Sequence, residues 1–149
     1  MVKLKNYFFA AIIIALIFID QTAKYFAAGL PEAVPVIKNV FYLAFVKNSG
    51  IIFGAFPGFN SLLVWIYVIV LGLLLYFYNE FPKDNFSRVM LAFLFAGIIG
   101  NLIDRIAFGY VIDFLDFRIW PVFNVADICL DVGILGIIGK AVWDSFKRK

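Results

Sequence analysis

"GYVIDFLDFRIWPVFNVADICLDVG", residues 109–133, sets four carboxylates, Asp113, Asp116, Asp127 and Asp131, between two of the most apolar segments of the chain. Those segments, residues 89–108 and 128–143, read by window hydropathy as membrane helices. The second is short for a span, so its helix is expected to begin earlier, near Asn124. Gly109 and Pro121 interrupt regular structure between them, so the acids fall at one end of a helix pair. Further out, residues 7–28 and 62–78 supply two more apolar stretches. The expectation is an all-α membrane protein of four transmembrane helices.

Composition agrees. Of 149 residues, 64% are hydrophobic and only 15% charged, against about a quarter charged in ordinary soluble domains. That length suits one membrane domain, residues 1–149, with no room for a separate soluble one. The basic residues Lys3, Lys5, Lys83, Arg88, Lys140, Lys147, Arg148 and Lys149 occupy places where a topology signal belongs, and do not form a nucleic-acid face. Four spans put both termini on one side, which the basic bias makes the cytoplasm. Asp113, Asp127 and residues 29–60 then lie outside. Pro31, Pro35 and Pro57 break residues 31–60 as a helix, while residues 36–46 read as a strand or two and "KNSG" as a turn. A small extracytoplasmic β-sheet with a lipid-covered apolar side is predicted. The first stretch also resembles a signal peptide, but its removal would leave three spans and put the basic tail on the wrong side. The absence of histidine removes the commonest zinc ligand and every His-dependent triad, and the single Cys129 cannot form an intrachain disulfide. No metal and no cofactor are expected.

The polar residues fall into clusters, each with a structural and a functional reading. Asp20 and Lys24 share a helix face in the favourable order for an ion pair. Asn101, Asp104 and Arg105, at i, i+3 and i+4, also share a face, as a structural network or a substrate contact. Asn124 and Asp127 resemble a capping box, with Asp127 in the first helical turn where the helix dipole favours a negative group. Asp113, hemmed by Val111, Ile112, Phe114 and Leu115, has no local partner. Two carboxylates brought together in a partly apolar site share a proton, the state in which one activates water and the other assists at a scissile carbonyl. An ion or proton pathway is the rival reading of the same acids, and a non-catalytic binding factor is a third. Asp116 is close enough to Arg118 to pair with it, and Asp131 lies one turn beyond Asp127. Spacing alone does not decide among the four acids.

Four blocks in order, "DQTAK" at 20–24, "KNSGIIFGAF" at 47–56, "AGIIGNLIDRIAFGYVIDFLDF" at 96–117, which contains "NLIDR", and "FNVAD" at 123–127, resemble the lipoprotein signal peptidase (signal peptidase II) family. The resemblance implies an aspartic endopeptidase of the bacterial cytoplasmic (inner) membrane. Such enzymes remove the signal peptide from diacylglyceryl-modified prolipoproteins just before the lipidated cysteine. It selects Asp113 and Asp127 as the catalytic pair. Asn48 and Gly50 match a polar turn near the substrate, and Asn101, Asp104, Arg105 and Asn124 a supporting network with the arginine at the substrate backbone. Asp20 and Lys24 match a motif of structural support. Membrane lipid, lipid-modified prolipoproteins and peptide inhibitors such as globomycin are the implied partners, with no nucleic acid. Ile51, Ile52 and Ile128 depart from the family pattern, which bears on pocket volume and inhibitor affinity.

Overall fold

The computed structural model describes residues 6–50 and 60–147. Lys3, Lys5, Ile51, Ile52, Pro57, Arg148 and Lys149 lie outside them. Helix α3 (Asn85–Phe108) is the axis around which α1 (Asn6–Ala28), α2 (Asn60–Tyr76) and α4 (Val125–Lys147) pack. Its start is set by Asp84, whose carboxylate accepts the Ser87 amide at 3.1 Å and the Ser87 hydroxyl at 2.7 Å. It ends at Gly109, with φ 79°, whose N–H donates to the Arg105 carbonyl at 3.2 Å. A glycine enters this left-handed cap without strain, and the chain turns directly into a strand.

That strand, β3 (Val111–Asp116), joins β1 (Val34–Ile37) and β2 (Phe41–Asn48) in an antiparallel sheet of order β1-β2-β3. The strands at residues 34–48 answer the expectation for residues 36–46, and the turn in "KNSG" begins at Asn48, whose Oδ1 accepts the Gly50 N–H at 3.2 Å. The third strand was not foreseen from the sequence. The four expected helices are present with shifted limits, and the fourth begins immediately after Asn124.

α3 and α4 approach until backbone nearly meets backbone. A Cβ on Gly97 would lie 2.5 Å from the Ala126 carbonyl oxygen and 2.8 Å from the Leu130 nitrogen. Only glycine allows that separation, the device by which helices associate in lipid. Helices α1 and α3 are long and apolar enough to cross a membrane by length and composition; α2 is apolar over a shorter 17 residues.

The distribution of side chains is inverted relative to a water-soluble domain. Phe18, Tyr25, Trp65 and Leu75 project outward, while Asp20, Lys24, Asn101, Asp104, Asp113 and Asn124 are each at most 2% exposed. A protein with that surface has lipid as its outer solvent, and its interior polar groups must be paired.

The two ends of the helix bundle differ in charge. Arg88 donates to Asn6 Oδ1 at 2.8 Å, and Lys140 Nζ stands 3.6 Å from Asp84, so the start of α1, the start of α3 and the end of α4 come together. Gly109, β3 and Asn124 gather at the opposite end.

Candidate active site

Asp113 and Asp127 are 14 positions apart and come from different elements, a strand and a helix. A short bridge closes that gap. The Phe114 and Leu115 amides both donate to the Phe123 carbonyl, at 2.9 and 2.8 Å, and the Phe123 amide donates back to Leu115 at 3.2 Å. The loop is thereby folded against β3, and the next residue, Asn124, starts α4 beside Asp113. Phe117 stacks on both Phe41 and Phe123, with ring centroids 4.7 and 5.8 Å away, which pins the loop to the sheet.

Asn124 is the hinge of the site. Its side-chain carbonyl accepts the Asp127 amide at 2.9 Å, while its own amide N–H donates to Asp127 Oδ2 at 3.1 Å. This reciprocal pair is the expected capping box. Its side-chain NH₂ donates to Asp113 Oδ1 at 2.7 Å and to Asn101 Oδ1 at 3.1 Å. One fully buried amide therefore holds both carboxylates in register. Asn101 donates to Asp127 Oδ1 at 2.8 Å, and Asn48 donates to Asp113 Oδ2 at 2.8 Å. Sheet register explains the latter: Val46 lies opposite Asp113, so Asn48, two residues along, sits diagonally across on the same face.

Burial pushes the Asp113 carboxyl up to about 6, and the charge of Asp127 adds in the same direction against the opposing amides of Asn48 and Asn124. A carboxyl so placed holds its proton into a range where ordinary aspartates have lost theirs. Both acids line a cavity of about 620 Å³ whose walls include Asn48, Tyr67, Asn101, Arg105, Phe117 and Trp120.

The remaining expected residues divide into two sets. Arg105 faces the cavity, with its guanidinium 3.4 Å from both Asn60 Oδ1 and the Gly50 carbonyl and 5.8 Å from the Tyr67 ring. Asp104, its neighbour, turns away toward α1, pairing with Lys24 at 2.9 Å and accepting from Gln21 at 2.9 Å and from the Ile112 amide at 3.1 Å. Lys24 also pairs with Asp20 at 2.9 Å and donates to Asn101 at 3.1 Å, and Asp20 accepts the Ala126 amide at 2.8 Å. The Asp20–Lys24 pair thus supports the start of α4 from across the bundle. Asp116 pairs with Arg118 at 3.3 Å, and Asp131 lines the cavity wall.

Sequence reading passed over Gln21, Asn60 and Tyr67. Gln21 lies inside the quoted "DQTAK", and a third polar residue in that apolar helix was its signal. Asn60 had one too, standing just ahead of the apolar run of α2. Tyr67 had none, because an aromatic in a membrane helix is unremarkable.

Two carboxyls tied to one buried asparagine on a single cavity of a lipid-facing protein, one of them with its titration raised by burial, are an arrangement of the kind an aspartic peptidase uses. Comparison with known proteins narrows the class. The family model described as "Signal peptidase (SPase) II" matches residues 12–143, and the chain belongs to that family. The lipoprotein signal peptidase of Halothermothrix orenii is 41% identical over 125 residues, covering 82% of this chain and 86% of that one. That of Microcystis aeruginosa is 38% identical over 145 residues and 93% of each chain. A solved structure described as "Bacterial membrane enzyme structure by the in meso method at 2.3 A resolution" superposes with a TM-score of 0.90 at 31% identity, covering 99% of this chain and 94% of that one.

Proposed function

We propose that this peptidase cleaves diacylglyceryl-modified bacterial prolipoproteins just before the lipidated cysteine, with Asp113 and Asp127 as its catalytic pair. The observation that carries the assignment is Asn124, which donates to Asp113 Oδ1 at 2.7 Å while capping the helix turn that holds Asp127. In this reading Asp127 takes a proton from water as the oxygen attacks the scissile carbonyl. Asp113 donates its proton to the developing oxyanion; as the tetrahedral intermediate collapses, Asp127 passes the proton it took from water to the leaving nitrogen and Asp113 takes its own back from the hydroxyl that becomes the new carboxyl group. Asn48, Asn101 and Asn124 hold the carboxylates. Arg105, placed by Asn60 and the Gly50 carbonyl, meets the substrate backbone. Asp104, Asp20 and Lys24 act behind the site as structural support.

Residues 1–149 then form one membrane domain of four spans in the cytoplasmic membrane. Both termini are cytoplasmic and the catalytic pair lies near the outer face. The collection of Lys83, Arg88, Lys140 and Lys147 at the bundle end opposite the carboxylates supports this orientation. Ile119 and Trp120, 94% and 64% exposed beside the cavity, are suited to the lipid interface, through which a lipidated substrate can enter sideways. A peptide inhibitor such as globomycin would compete for the same cavity.

The direct test offers purified enzyme in lipid a diacylglyceryl-modified precursor and its unmodified twin, with products read by mass spectrometry. Cleavage of the modified precursor alone, immediately before its cysteine, is expected. An intact modified precursor, or equal cutting of both, would sink the assignment.

The pH profile follows from Asp113. With its carboxyl raised to about 6, kcat/KM should fall as pH rises through that value, approaching tenfold per unit above it, because the proton to be donated is lost. The same shift has a sign for folding. A raised carboxyl stabilises the native state below its unfolded value near 4, and that contribution disappears as pH rises through about 6. Rates measured from pH 5 to 9 check the first statement. A rate that instead climbs across that range would give the proton-donating role to another group.

A further inference from the structure

One carboxylate on the cavity wall has no part in the arrangement described so far. Asp131 lines the cavity together with Asp127 and Leu130, is exposed, and takes no hydrogen bond or ion pair from any described residue. It stands on the edge of α4, between the cavity wall and an outward apolar stripe containing Ile128 and Leu135, both exposed. An acid beside such a stripe is costly in a bilayer unless a polar or hydrated cavity receives it. Asp116, the other acid not used in the reaction, has Arg118 for a partner; Asp131 has only the cavity.

Helix geometry places Asp131 relative to the chemistry. Four residues of helix advance about 6 Å, so Asp131 lies that far from Asp127 toward the C-terminal end of α4. In the proposed orientation this is the direction from which the signal segment reaches the cavity. An extended chain advances about 3.3 Å per residue, so about 6 Å spans two residues. The side chain two residues before the scissile bond therefore falls opposite Asp131, while its neighbours in an extended strand point to other walls.

Resting on the peptidase reading above, we propose that Asp131 is a specificity residue that accepts a hydrogen bond from a donor side chain at the second position before the scissile bond. A hydroxyl there satisfies the carboxylate, whereas a methyl of the same size leaves it desolvated and unpaired. Sites built to receive a donor discriminate strongly against its apolar isostere.

The test uses lipidated precursors carrying Thr or Val at the second position before the cysteine, and a further pair with the same exchange at the third. Wild type should prefer Thr over Val by about tenfold in kcat/KM at the second position and show little preference at the third. In Asp131→Leu and Asp131→Ala the second-position ratio should fall to near one, whereas Asp131→Asn, which keeps an acceptor oxygen, should retain part of it. Should Asp131→Leu be inactive on both substrates, the ratios in the Ala and Asn variants decide. Equal rates for Thr and Val in wild type, a preference that survives Asp131→Ala, or a preference at the third position alone overturns the subsite while leaving the peptidase intact. A wild type that cuts no lipidated precursor overturns the peptidase reading, and the subsite with it.

Discussion

Asp113→Asn and Asp127→Asn should each lower cleavage of a lipidated prolipoprotein by roughly four orders of magnitude, the scale seen when one member of a catalytic unit is removed. An amide at 127 cannot take a proton from water, and one at 113 has none to release to the carbonyl oxygen. Neither loss is repaired nearby, because the groups in contact are amides: Asn48 and Asn124 on Asp113, Asn101 and the Asn124 backbone on Asp127. Asp116→Asn is the matched control. Its partner Arg118 is 46% exposed at the side chain, and the pair sits beyond the cavity, so cleavage should stay within about threefold of wild type.

Stability separates catalysis from structure in the same variants. At pH 7 wild type must carry a 2% exposed Asp113 above the pH at which it sheds its proton, an arrangement that costs folding free energy. Removing the charge should therefore leave the midpoint of thermal unfolding at pH 7 unchanged or higher, while activity vanishes. A variant of Asp113→Asn that is destabilised in proportion to its lost activity would make the residue structural. Detergent-solubilised protein followed by intrinsic fluorescence, alongside the cleavage assay, gives both numbers from one preparation.

What could be read from the sequence tracks the range over which each interaction acts. The capping of α4 was legible because Asn124 and Asp127 are three residues apart and both of their backbone hydrogen bonds are local. The Asp20–Lys24 pair was legible for the same reason, at one helical turn. Its purpose was not, since Asp20 receives the Ala126 amide from 106 residues away. Asp113 seemed to lack a partner because Asn48 is 65 residues distant and Asn124 reaches it only through the bridge at Leu115 and Phe123. Strand β3 itself escaped notice because four successive residues, Val111–Phe114, are buried; the alternation that marks a strand is absent where both faces are covered. Asp104 and Arg105 were grouped on one face, yet neighbours on a helix diverge by about 100°, and here one turns to α1 and the other to the cavity. The family resemblance chose Asp113 and Asp127, which spacing alone had left among four acids, and these are the two that Asn124 bonds.

Lys24→Met should lower stability by about 3–5 kcal/mol, the loss found when one partner of a buried ion pair is removed. Lys24 is 1% exposed and its ammonium lies 2.9 Å from both Asp20 and Asp104, so the substitution strands two carboxylates in a space that water does not reach. Each stranded group also anchors something else. Asp20 holds the Ala126 amide at the start of α4, and Asp104 holds the Ile112 amide at the start of β3. The ammonium further donates to Asn101, which in turn donates to Asp127. One substitution therefore loosens the helix bearing one acid, the strand bearing the other and the amide between them. Activity should fall along with stability. The double variant Lys24→Met/Asp104→Asn relieves one uncompensated charge and should regain a large part of the stability, with a coupling energy well above the 0.3–0.5 kcal/mol scatter of independent sites. It should regain less of the activity, because Asn101 still lacks its donor. Thermal unfolding of the four species in one detergent supplies the cycle. If Lys24→Met keeps wild-type stability but loses activity, the ammonium acts on the reaction itself, and its assignment to structural support fails.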